Sequence, residues 1–325
     1  MLRAWVCAAA LAVVVLGGTA RTAQAVETHP LSEVRTPNYY YLHGGLTLGA
    51  TAGIGVVELV LPRLGPGYDL KSFGPDDAVR VNFSDASAHL SDKLLLVTMT
   101  APLFLQMSQG FNSSMANAGL IYAESHAFSM LLADTAKLIV RRPRPYTHSK
   151  DPRIVYFAEQ QSADAHASFY SAHSSSAFTS AMAGSLLYAA RTDDLPARHV
   201  VWGLEFLMAG MTAQLRVRAG RHYRTDIWVG TTLGLSMGLA VPALHGVDLG
   251  RVRGSEMATA GGAFAVSMLL SEAVDFCGVL QRLHLCNLPH DTTVPLGGGE
   301  AARADWVVLP APIPGGAGLS LFGQL

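Results

Sequence analysis

The chain has 325 residues, of which 50% are hydrophobic and only 14% charged, with a formal net charge of −1. An average soluble domain carries about 25% charged residues, so this length serves either one large apolar core or a membrane bundle. A binder of phosphate backbones needs a basic surplus, and its absence excludes nucleic acid as the expected partner.

In chain order, residues 1–25 (MLRAWVCAAALAVVVLGGTARTAQA) read as a secretory signal peptide. Arg3 supplies the positive start, Ala8 to Leu16 the apolar stretch, and Ala23-Gln24-Ala25 the small-residue cleavage site. An uncleaved anchor is the alternative, and either implies export. Seven apolar stretches follow: Tyr39 to Leu61, Leu94 to Gln109, Ala118 to Val140, His173 to Ala190, Val200 to Leu215, Ile227 to His245 and Met257 to Ser271. None alternates with period two, so helices are predicted. The breakers sit between them, in PRLGPGYD, RRPRPYTHSKDPR and RTDDLPAR. The expected fold is all-α, a helical bundle over residues 26–290.

Residues 291–325 are rich in Pro and Gly, and an extended, irregular tail over the bundle is the expectation. Two short strands, DWVVL and LSLFG, are the alternative. GGAGLSLFG is no phosphate loop, because no strand-then-helix pattern surrounds it. Cys277 and Cys286 can form a disulfide in an exported compartment, or remain two small core residues; Cys7 falls in the signal.

A spanning helix wants roughly 18 or more residues with few charges. Ile227 to Val247 meets that and Tyr39 to Val57 nearly does. Glu205 interrupts one of the other stretches, and Glu124, His126, Asp134 and Lys137 another. Ionisable groups there mark a functional interior or a soluble bundle.

Three clusters carry chemistry. Lys137 precedes Arg144-Pro145 in KLIVRRPRPY; Ser171-Ala172-His173 opens a Ser/Ala-rich helix; and Arg216, His222 and Asp226 fall within RVRAGRHYRTD. A phosphoryl group in transfer needs cations and N–H groups fixed around its oxygens. Lys137, Arg144 and Arg216 can supply the charge, and the start of the helix near His173 can supply amides and a favourable dipole. His222 and Asp226 are four apart, so on a helical turn they can hydrogen-bond. That bond fixes one ring nitrogen and leaves the other as a nucleophile. A plain helix-start bond is the alternative.

Taken together, the three clusters resemble the type 2 phosphatidic acid phosphatase superfamily, which includes bacterial class A acid phosphatases and vanadium haloperoxidases. The family pattern is Lys-x6-Arg-Pro, Pro-Ser-Gly-His and Ser-Arg-x5-His-x3-Asp, and all seven functional positions match here, in order. The resemblance implies a bundle fold and a phosphatase in which His222 is the nucleophile, Asp226 orients it and His173 is the general acid. It implies that Lys137, Arg144, Ser171, Ala172 and Arg216 bind phosphate, with neither metal nor cofactor. Tyr170, Ala172 and Leu215 depart from the family's Pro, Gly and Ser. Ala172 keeps its N–H as long as its φ is negative.

The expected substrate is a phosphorylated lipid or a small phosphate ester, and membrane association is expected. The expected place is exported, periplasmic or membrane-associated, with the site outside the cytoplasm. Integral membrane insertion is the alternative. A vanadium-dependent haloperoxidase and a non-catalytic envelope bundle are the rival functions. Arg141 and Arg142 read as loop charges that solvate or attract a headgroup, and Arg221 and Arg224 as exposed neighbours. His126 and His245 have no partner at metal-ligand spacing.

Overall fold

The computed structural model describes residues 31–65, 67, 74–79, 82–161, 164–273, 306–313 and 316–323. The predicted signal peptide, Cys277 and Cys286 lie outside the described residues. The chain divides into two compact units, Met1–Asp291 and Thr292–Leu325, and each is described by itself.

The first unit is all-helical among its described residues. Its helices are α1 (Pro37–Val60), α2 (Gly74–Asp77), α3 (Asp85–Ser108), α4 (Ser113–Val140), α5 (Pro152–Gln160), α6 (Ala172–Arg191), α7 (Leu195–Arg218), α8 (Arg224–Leu244) and α9 (Gly254–Ala273). Each of the seven apolar stretches lies in a helix, and the helices start earlier than the stretches because polar caps begin them. Ser84, Asn112, Ser171 and Asp194 each accept a hydrogen bond from the backbone N–H three residues on, which satisfies an otherwise unpaired amide of the first turn.

Helix α6 is the axis of the bundle and packs against α3, α4, α7 and α8. Its Ser, Ala and Gly side chains are short, which lets four neighbours approach one helix. Phe178, Met182 and Leu186 of α6 join Trp202 and Phe206 of α7 and Ile227 of α8 in the main core. On α8, Gly230, Gly234 and Gly238 recur every four residues and form one stripe. A Cβ at Gly230 would stand 2.6 Å from the Ser171 carbonyl oxygen and one at Gly238 2.8 Å from that of Thr179, while one at Gly234 would press on that of Ser175. The stripe lets the backbones of α6 and α8 touch, and it sets their N-termini side by side: the Ser171 N–H donates to the Asp226 carbonyl oxygen at 3.3 Å.

Helix α1 is different. It leans on α4, and only Ala50 and Val57 of its 24 residues are buried. Residues Pro37–Arg63 and Arg224–Leu244 are long and apolar enough to cross a membrane, by length and composition.

In the second unit the extended tail is not what forms. The backbone makes an antiparallel ladder of β1 (Trp306–Ile313) and β2 (Gly316–Gly323), with Trp306 opposite Gly323 and Ile313 opposite Gly316. Both strands of a two-stranded ribbon are edges, so prolines at outward positions cost no ladder bond. Pro310 and Pro312 are two residues apart and share one orientation.

Candidate active site

Helix α7 ends at Gly220, whose φ of +69° suits the left-handed cap that only glycine takes without strain. The chain turns back there, and the Arg216 carbonyl oxygen accepts from the N–H groups of both Arg221 (3.1 Å) and His222 (3.4 Å). His222 therefore lies in the turn before α8 and is 1% exposed, while Asp226 sits inside the first turn of that helix.

This corrects the expected His222–Asp226 hydrogen bond. His222 Nδ1 donates to the Ser168 carbonyl oxygen at 2.7 Å, and the nearer Asp226 oxygen stands 3.7 Å away. The ring is not on a shared helix face, so the spacing of four does not bring the two groups into hydrogen-bond range. Asp226 instead accepts from the Ser168 hydroxyl (2.5 Å), the Tyr223 N–H (3.0 Å) and Arg142 Nη1 (2.6 Å). It braces the loop whose carbonyl fixes the imidazole.

On the other side of the ring, Arg144 Nη1 approaches Nε2 at 3.3 Å. An acceptor on one flank and a donor on the other fit one tautomer, with the proton on Nδ1 and the lone pair on Nε2. Burial, then the charges of Arg144 and Arg216, push the His222 pKa well below the ordinary histidine value. That direction favours the neutral ring, whose Nε2 lone pair faces Arg144.

The remaining members surround it. Arg144 is buried and held by Asp164, through its carbonyl oxygen at 2.7 Å and through a short ion pair with its carboxylate, and by the Arg221 carbonyl oxygen at 2.7 Å. Lys137, in the last turn of α4, binds Asp134 at 2.9 Å, and its charge reaches both His173 and His222. Arg216 is 6% exposed, and its Nε is a buried donor without an acceptor among the described residues. Ser171 is fully buried and caps α6 by accepting from the Ser174 N–H at 3.3 Å. Ala172 is the first residue of α6. Among the described non-glycine residues only Arg141 has a positive φ, so alanine in the glycine position introduces no strain.

His173 Nε2 meets Asp92 Oδ1 at 2.8 Å, and the same oxygen accepts from Arg216 Nη1 at 3.0 Å. Burial, then the Arg216 charge, press the His173 pKa down to about 4 against the pull of Asp92. Arg216 and His173 hold the Asp92 carboxyl well below the usual carboxylate range, against its own desolvation.

Asp92, Asp164, Ser168 and Arg142 belong to the site and carry no signal at fixed spacing. Arg142 corrects the reading of a solvated loop charge. It is 3% exposed, pairs with Asp76 at 2.9 Å and with Asp226, and stacks 3.9 Å over the Tyr223 ring. Arg221 is likewise no exposed neighbour: it lies 4.7 Å over the Phe157 ring and reaches Asp164 at 3.4 Å. Arg224 is half-buried. His126 bonds Ser180 at 3.0 Å, and His245 has partners in Tyr39 and Glu124.

The PAP2 superfamily model matches residues 118–248, the stretch from α4 to the end of α8 that carries every matched motif position. That segment is similar to the PAP2 superfamily. No curated protein and no solved structure matches the chain. Similarity to the PAP2 superfamily points to phosphatase-type chemistry on a lipid phosphate or another phosphate ester. The PAP2 segment also contains α6 and α8 whole, so the glycine contact that sets their N-termini together is internal to it.

Proposed function

We propose that the protein is a phosphatase acting on phosphate monoesters or lipid (pyro)phosphates through a phosphohistidine at His222, with no metal ion in the chemistry. The observation that carries this is the aim of His222: Nδ1 is tied to the Ser168 carbonyl oxygen and Nε2 faces the Arg144 guanidinium. The orphaned Arg216 Nε in the same place is a donor waiting for an acceptor, since buried donors are nearly always paired.

The Nε2 lone pair attacks phosphorus and the ester P–O bond breaks. The leaving oxygen takes a proton from His173. Arg144, Arg216 and Lys137 balance the charge on the equatorial oxygens, helped by the first amides of α6. Water then attacks the phosphorus and gives a proton to His173. The P–N bond breaks, releasing phosphate and the neutral His222 ring. A bound phosphate dianion beside His173 raises its pKa from the resting value, so the acid is charged when substrate is present. Asp92, touching both His173 and Arg216, positions the pair.

Exposed apolar side chains on α1, among them Leu42, Leu48 and Leu59, support attachment to a membrane. The predicted signal supports a site outside the cytoplasm, in the periplasm or at its membrane face. Purified protein should hydrolyse a chromogenic phosphate ester in the presence of EDTA. His222→Ala should lower kcat by about a thousand-fold or more. Full activity in that variant would remove His222 as nucleophile, and no activity in the wild type on esters or lipid phosphates would leave a phosphate-binding bundle.

A further inference from the structure

At the far end of α8 from the candidate active site, three side chains from three elements converge. His245 caps the C-terminus of α8, Glu124 lies in the first half of α4, and His43 lies in the second turn of α1. Helix α8 has 21 residues, so His222 and His245 are separated by about 30 Å along it. Glu124 Oε2 stands 3.1 Å from His43 Nδ1 and 3.0 Å from His245 Nε2. One ligand atom from each residue fits within 4.8 Å of the other two.

The two separations from Glu124 Oε2 are close to the edge of a tetrahedral centre. Bonds of about 2.0–2.2 Å to nitrogen and oxygen place neighbouring ligands about 3.3 Å apart. Two imidazoles and a carboxylate are a borderline donor set that suits zinc. The surroundings fit as well. A metal-bound histidine presents its other N–H to a neighbouring acceptor, and His245 Nδ1 stands 2.5 Å from the Tyr39 hydroxyl. Glu124 and His245 are buried while the His43 side chain is 23% exposed, which leaves one approach for an ion and for a fourth, water ligand.

We infer that His43, Glu124 and His245 form a zinc(II) site, separate from the phosphatase centre, that clips α1 to α4 and to the end of α8. Helix α1 needs such a clip, because Ala50 and Val57 are its only buried residues. An ion there takes one nitrogen from each imidazole and satisfies the buried carboxylate.

The test uses tag-free, full-length protein, stripped with EDTA, exposed to zinc sulfate and passed through a desalting column. Elemental analysis should find about one zinc ion per chain, and zinc should raise Tm by several degrees. His43→Ala and Glu124→Ala should both lose the ion and the shift, while His222→Ala keeps both. Hydrolysis by the zinc-free wild type should persist at a temperature where it remains folded. A wild type that takes up no zinc overturns the site, and that result stands even if a variant fails to fold. Zinc retained by His43→Ala and Glu124→Ala, or lost only in His222→Ala, also overturns it. Loss of hydrolysis in His222→Ala with zinc still bound separates the two proposals.

Discussion

A histidine that attacks phosphorus through Nε2 needs its proton held on Nδ1, and here the acceptor is a main-chain carbonyl at 2.7 Å. Such an acceptor leaves no trace in a sequence pattern. The motif spacing singled out His222, Asp226, Arg144, Arg216 and His173, and it paired the His222 ring with the Asp226 carboxylate, where the structure has the Ser168 carbonyl oxygen. A spacing of four has its helical meaning only when both residues are in the helix, and Gly220 keeps His222 out. Arg142 illustrates the same limit: beside two other arginines it reads as a solvated charge, and only Asp76, 66 residues away, shows it to be buried. Burial lowers the pKa of both site histidines, and this predicts a pH dependence of stability. In the unfolded chain a histidine gains its proton near pH 6.5, whereas folded His173 gains it only near 4. Between those values the unfolded state binds more protons, so stability falls as pH falls. Thermal melts from pH 7 down to about 4 should show this decline, and His173→Asn should make it shallower. An unchanged slope would mean that His173 is charged in the resting protein.

At the scale of elements, the apolar stretches located the seven long helices because each buries or exposes a continuous run of Leu, Val, Ala and Met. They missed the first nine residues of α3, where DASAHLSDK is polar and only the Ser84 cap shows the start. They missed α2 and α5 as well, which are too short to carry a period. In the tail, the two short strands offered as the alternative are the ones that pair, and they run further than DWVVL and LSLFG. The small residues of α6 and the Gly230, Gly234, Gly238 stripe were visible as composition, and their meaning as a backbone contact was not. Gly234→Ala should therefore destabilise the fold by about 1–3 kcal/mol, the usual cost of overpacking. Gly44→Ala, where a Cβ meets nothing within 4 Å, should not lower Tm. Equal Tm values for the two variants would mean that α6 and α8 can separate freely.

For the whole molecule, the distribution of exposed apolar side chains matters most. Leu48 is 72% exposed and Leu59 65% on α1, with Phe104 on α3 and Leu269 on α9 also open at 62% each. Apolar side chains this open suit an interaction surface, and a lipid phase is the proposed one. Replacing Leu42, Leu48 and Leu59 by Ser should shift the protein from vesicles to the supernatant in a flotation assay, while hydrolysis of a soluble ester continues. Unchanged flotation would move the attachment to another helix.

One half-exposed carboxylate changes how the resting centre meets its surroundings. Because a single oxygen of Asp92 already engages both Arg216 and His173, those groups are never bare, and an incoming anion arrives as a competitor. Chloride or acetate brings no more charge than the group it would displace. A phosphate monoester brings a second negative charge and more oxygens, enough to reach the idle Nε of Arg216 as well. On the proposed phosphatase reading, Asp92 thus screens Arg216 and His173 from monovalent ions and leaves doubly charged guests the stronger competitors.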